Sequence, residues 1–263
     1  MKVNFVKSLW GMIQGQTPDD KLRLIRQAGY DGVEGDLPDM DPTAWKDLCG
    51  KHSLNYVAMI FAADGPTFVA DLRKAARYGP VLVNCHSGRD KMTFEEGCAF
   101  FETALKAEAD VGIPVAHETH RHRLFYAPWT TVRYLERFPD LKITADYSHW
   151  CVVCESLLVD LGDLLAATYP RAIHIHGRIG HEEGPQVPDP RAPEYARCVE
   201  AHERWWDAIR DAQQHAGADM LTFDPEFGPW GYMPCLPYTR QPVADLWDLC
   251  LWTADRIRKR WKC

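Results

Sequence analysis

Residues 114–123 read PVAHETHRHR, and three later segments answer them: ADYSHW (145–150), IHIHGR (173–178) and FDPEFG (223–228). Each is a short apolar run of strand type that ends in a carboxylate or an imidazole. Each therefore brings one hard or borderline metal ligand to the carboxyl end of a strand. Four such ends in succession predict a metal site built from four consecutive strands.

Working outward, strand patterns are predicted over 3–10, 32–38, 54–62, 80–86, 113–118, 141–146, 171–176 and 220–226. Between them lie helical patterns: KLRLIRQAGY, then 41–52, 67–78, 93–109, 129–138 and 157–168, the run HERWWDAIRDAQQ, and 243–261. Thr17-Pro-Asp-Asp reads as a cap with an acidic first turn, and Gly79-Pro80 as a stop. Strands alternating with helices at a spacing of roughly 30 residues predict a (β/α)8 TIM barrel, one α/β domain over 1–263. Neither a GxGxxG nor a P-loop supports an open doubly wound sheet. In a barrel the active site sits at the strands' carboxyl ends, where all four opening segments terminate.

The chain has 263 residues, 46% of them hydrophobic, enough for a substantial core. A formal charge of −7 argues against non-specific nucleic-acid binding, which needs a basic face. The N-terminus MKVNFVKSLWGM breaks its apolar residues with lysines and does not read as a secretory signal. No stretch approaches the roughly 20 apolar residues that span a bilayer, so the expectation is a cytoplasmic protein with no membrane partner. Nine scattered cysteines suit reduced thiols better than a disulfide framework, and Cys151 and Cys154, the one CxxC, read as buried or helix-start thiols.

Side chains alternate across a strand, so Glu118, Asp146, a histidine of the HIH run and Glu226 can all point into the barrel mouth. Two glutamates, an aspartate and a histidine make an oxygen-rich set. It suits one divalent ion, Mn²⁺, Mg²⁺ or Co²⁺, with Zn²⁺ also possible. A single buried acid at a strand end is usually just half of a hydrogen-bonded pair. Four on successive strands are costly without a cation.

These residues carry a resemblance. In ETHRHR (118–123), DYSH (146–149), HIHGR (174–178) and PEFG (225–228) the chain resembles the xylose isomerase-like TIM-barrel superfamily. That superfamily includes sugar phosphate isomerases and epimerases, inosose dehydratases and the endonuclease IV branch. The resemblance implies a metal held by Glu118, Asp146, His176 and Glu226, with Mn²⁺ foremost, and leaves His174 a layer deeper. It also implies that Glu118 and Glu226 remove and return a proton beside a carbonyl, through an enediolate stabilised by the ion. His149 is then a substrate contact. The family's epimerases place an arginine further downstream of the strand-7 histidine, whereas here Arg178 follows by two; it is expected to contact substrate as well.

Other substrate contacts are expected from position alone. His86 in NCHSGRD, His120 and Arg121 after the first ligand, Trp10 and Glu34 at strand ends could bind hydroxyls, anions or a sugar face. Trp150, Trp230 and Tyr232 are further candidate stacking surfaces. The expected function is a metal-dependent sugar isomerase or epimerase acting on a small carbohydrate. The alternative outcome at the same site is a lyase or dehydratase of a keto sugar, keto glycoside or inosose. A homodimer is compatible with the chain.

Overall fold

The β-branched apolar runs form strands β1 (Lys2–Ser8), β2 (Gly32–Asp36), β3 (Asn55–Ala62), β4 (Leu82–Ser87), β5 (Val115–Glu118), β6 (Ile143–Ala145), β7 (Ala172–His176) and β8 (Met220–Asp224). In the computed structural model, which describes Met1–Cys263, they pair in parallel in chain order and β8 closes onto β1. The fold is a (β/α)8 TIM barrel, as the alternation predicts.

Helices α1 (Pro18–Gln27), α2 (Pro42–Lys51), α3 (Gly65–Ala76), α4 (Phe94–Val111), α5 (Pro128–Arg137), α6 (Ser148–Val153), α7 (Gly162–Thr168), α8 (Ala196–His215) and α9 (Leu246–Trp261) surround the barrel. Their starts are written locally. Thr17 accepts from the Asp20 N–H while the Asp20 carboxylate accepts from the Thr17 N–H, and Thr93 with Glu96 repeats the arrangement at α4. Asp41, Asp64 and Asp245 cap α2, α3 and α9. Each such cap contributes about 1 kcal/mol.

Outward strand faces and inward helix faces share one core of 56 buried residues. Each fully buried Leu or Phe there contributes about 1.5–3 kcal/mol. Inside the barrel, Val6, Val57, Leu82 and Ala116 form a separate apolar plug. Two residues further along the same strands stand Ser8, Asn84 and Glu118, so the interior turns polar one layer above the plug. That change of layer positions the site.

The segment after β6 differs from expectation. A single helix over 157–168 is replaced by the short α6, an irregular link with Glu155 and Leu158 at positive φ, and then α7. The chain turns straight after Asp146, whose Oδ1 accepts from the Ser148 N–H at 3.2 Å and so opens α6 beside the site. The closing helix starts at Leu246 rather than 243 because the Asp245 carboxylate accepts from the Asp248 N–H. All nine cysteines are free; Cys151 is buried in α6 and Cys154 follows its end. No helix is long and apolar enough to cross a membrane.

Candidate functional site

His176, Glu118, Asp146 and Glu226 meet at the carboxyl end of the barrel. His176 Nδ1 lies 3.2 Å from Glu226 Oε2, 3.7 Å from Glu118 Oε1 and 3.9 Å from Asp146 Oδ2. All four side chains are buried, Glu226 the most open at 4%. His174, on the same face of β7, sits one layer lower. Its Nε2 is 2.8 Å from Glu34 Oε2 and its Nδ1 2.6 Å from Thr222 Oγ1.

A polar layer beneath holds the cluster in place. Glu34 Oε1 is 3.0 Å from His176 Nε2, which makes that nitrogen the donor to Glu34 and turns Nδ1 toward the carboxylates. Asn84 Nδ2 donates to Glu118 Oε2 at 2.9 Å and to Glu34 Oε1 at 3.1 Å, while its Oδ1 accepts from Thr144 Oγ1. His86 Nε2 is 2.8 Å from Glu118 Oε2. The Asp146 N–H donates to Thr119 Oγ1 at 2.8 Å, and the Ser148 hydroxyl donates to Asp146 Oδ1.

Arg178 enters the site because Gly177 precedes it. A Cβ at Gly177 would stand 2.3 Å from the Phe223 ring, so a bare α-carbon lets the backbone pass there. Arg178 Nη2 then donates to Asp146 Oδ2 and lies 3.0 Å from Glu226 Oε2, and its Nε donates to Ser148 Oγ at 3.2 Å. The guanidinium packs 4.8 Å from the Tyr232 ring centroid.

Charge and burial set the protonation pattern. Burial would raise Glu118, but the imidazoles of His86 and His176 hold its carboxyl well below the usual range. Burial raises Asp146 despite Arg178, whereas Glu226 is held low by Arg178 and His176 against its own burial. Burial alone would lower His176; the carboxylates of Glu226, Glu34 and Glu118 reverse that and raise it well above its ordinary value. Burial pushes His120 down to about 3. Burial, with His120 alongside, pushes His149 well below its usual range.

These residues fit a divalent cation. His176 Nδ1 is buried without a hydrogen-bond partner, and the ligand atoms of Asp146, His176 and Glu226 all lie within 4.8 Å of one another. Three buried carboxylates faced by one guanidinium leave an excess of negative charge that a dication offsets. In its absence a proton on His176 supplies part of the compensation.

Above the cluster opens a cavity of about 500 Å³ lined by Trp10, Met59, Phe61, His86, Glu118, His120, Arg178, Glu226 and Tyr232, among others. Trp10 meets Tyr232 edge to face at 5.0 Å. Of the substrate contacts expected from sequence, Trp10, His86, His120 and Arg178 reach this cavity. Arg121 lies behind it, 4.9 Å over the Tyr232 ring. Two others do not line it. Glu34 does not line the cavity, because both its oxygens face His174 and His176 from below. His149 is fully buried beneath His120, ring centroids 3.8 Å apart, with Nε2 3.3 Å from Arg178 Nη2. Trp150 is likewise core: it stacks on Tyr147 and donates to the Phe125 carbonyl. Trp230 belongs to a neighbouring cavity. Asn84 was missed, although its place two residues before His86 on β4 marks the same inward face.

In sequence, no protein-family pattern and no curated protein matches the chain. In three dimensions it is similar to a xylose isomerase-like TIM barrel protein from Mycobacterium smegmatis in complex with magnesium (11% identity, TM-score 0.62, covering 97% of this chain and 95% of that one). It is also similar to a sugar phosphate isomerase/epimerase from Parabacteroides distasonis (12%, 0.64, 97% and 93%). An AP endonuclease, family 2, from Brucella melitensis aligns as well (17%, 0.62, 87% and 94%). At these identities the likeness establishes the fold alone, a (β/α)8 TIM barrel. Shared fold does not by itself carry the reaction.

Proposed function

We propose that the protein is a divalent-metal-dependent isomerase or epimerase of a small sugar or related polyol, working by proton transfer at a carbon next to a carbonyl. The observation that carries this is the convergence of three buried carboxylates and an unpartnered imidazole nitrogen beneath a cavity of sugar size, with Glu118 and Glu226 both reaching its wall. Glu118, Asp146, His176 and Glu226 would hold the ion, which when bound supplies Lewis acidity toward a substrate oxygen. The oxygen-rich donor set favours Mn²⁺, with Mg²⁺, Co²⁺ and Zn²⁺ as alternatives.

The chain's own groups supply the rest. Glu118, fixed by His86 and Asn84, and Glu226, fixed by Arg178, present two carboxylates to the cavity, so one takes a proton and the other returns one. Arg178 and the neutral His120 offer hydrogen bonds to substrate oxygens, and Trp10 and Tyr232 offer ring faces and edges to its carbon skeleton. The acidic balance of the chain supports an uncharged or small carbohydrate substrate in the cytoplasm over nucleic acid.

The test is proton exchange in D₂O, followed by NMR across a panel of keto and aldo sugars with Mn²⁺ present. Deuterium should enter at the carbon beside the carbonyl, and Glu118→Gln and Glu226→Gln should each lower that rate by about 10²–10⁴-fold. Exchange that survives both substitutions, or loss of a β substituent in place of exchange, would overturn the reading.

A further inference from the structure

Lys7 is 3% exposed, and its ammonium donates to the Ser8 carbonyl at 2.8 Å with the Cys250 thiol beside it. It is ion-paired with no carboxylate, although Asp224 on β8 feels its charge. Val6 belongs to the plug inside the barrel and Ser8 lines the cavity above the metal cluster, so Lys7 between them points outward, toward α9. There it faces a second cavity, of about 190 Å³, walled by Trp10, Met12, Pro229, Met233 and Leu246. Met12 and Met233 are buried, at 7% and 2%. The segment after β8 folds over this space through contacts between Trp230 and Met233 and between Cys235 and Pro242. At the rim the Arg240 guanidinium lies 5.2 Å over the Trp230 ring.

A buried ammonium that no carboxylate pairs is a charge held in a largely apolar wall. The volume exceeds the roughly 150 Å³ that admits benzene in an engineered protein cavity. Apolar walls with one directed polar group are also how small-molecule sites fix orientation. The lining also carries Gln14, Arg240 and Asp245; a phosphate or sulfate has no apolar body for the methionines and Trp10 to enclose, whereas a carboxylate carries one delocalised charge on a body that they can.

From these features we infer that the cavity beside Lys7 is a second ligand site, for a small carboxylate with an apolar, benzoate-sized body. The anion meets the Lys7 ammonium and the body lies between Trp10, Met12 and Met233. Trp10 also walls the cavity above the metal cluster, so an occupant here fixes one side of that cavity.

The test uses the full chain labelled with ¹³C at its methionine methyls, titrated with benzoate and separately with benzyl alcohol, its uncharged counterpart, without added metal or substrate. Benzoate should shift the Met12 and Met233 signals saturably and leave Met59, in the other cavity, in place. Benzyl alcohol should bind at least about tenfold more weakly, and Lys7→Met should abolish that preference. Absence of a saturable shift, a shift at Met59 in place of Met12 and Met233, equal binding of acid and alcohol, or a folded Lys7→Met that keeps the preference would each overturn the assignment. If Lys7→Met does not fold, the acid-to-alcohol comparison on the unaltered protein decides. No turnover enters the readout, so failure of this site and failure of the metal reading are separable.

Discussion

His176 Nδ1 and Glu226 Oε2 stand 3.2 Å apart in the barrel mouth, both buried. An imidazole lone pair and a carboxylate oxygen held that close need a cation or a proton between them. The metal binding proposed for the cluster rests on this pair.

Stripped by chelator and reloaded with Mn²⁺, the wild-type protein should retain one ion per chain by elemental analysis, and Asp146→Asn should retain none at the same free concentration. Because His176 is raised in the ion-free state, loading releases a proton and affinity should rise with pH through and above its ordinary value. Equal retention by the variant would remove the four-residue site.

Glu34 holds the ligand histidine by its far nitrogen. Glu34→Gln removes that anchor's charge and should weaken Mn²⁺ binding about 10–100-fold by titration calorimetry. Unchanged affinity would mean that Asn84 and packing alone orient the ring.

Arg178 is the cation that faces Asp146 and Glu226. Arg178→Met should cost on the order of 3–5 kcal/mol in urea unfolding with chelator present, because two buried carboxylates lose their partner. Saturating Mn²⁺ should recover part of that loss, and a loss identical with and without the ion would contradict the shared role.

Away from the site, burial lowers His202 from 6.5 to about 4 while its Nε2 accepts from the Gly180 N–H at 3.1 Å. A depressed histidine binds its proton less well folded than unfolded. It therefore contributes stability that is complete above pH 6.5 and lost as pH falls toward 4, about 3 kcal/mol in all. His202→Gln should flatten the fall in urea midpoint between pH 7 and 5. A slope equal to wild type would show that His202 does not titrate in that window.

Periodicity alone was enough for the barrel, since apolar runs of strand length alternate with capped amphipathic helices along the chain. The break after Asp146 was not legible, because a six-residue helix that starts on a buried carboxylate leaves no periodic trace. Asn84 could have been read from its spacing to His86. The burial of His149 and the inward turn of Glu34 could not, because each depends on rings and carboxylates more than a hundred residues away or on the packing of His120.

By itself, then, the chain's local pattern determined the eight strands, their caps, and which carboxylates and imidazoles end them, because strand alternation and helix capping are short-range rules. The resemblance pointed to His176 over His174, and only the tertiary structure decided that it faces all three acids. That structure also showed that Arg178 reaches two of them past a bare Gly177, and that Lys7 looks away from the barrel onto a cavity of its own. Closing the barrel fixes the layer at which each side chain meets its neighbours, and that layer is a property of strands brought together from across the chain.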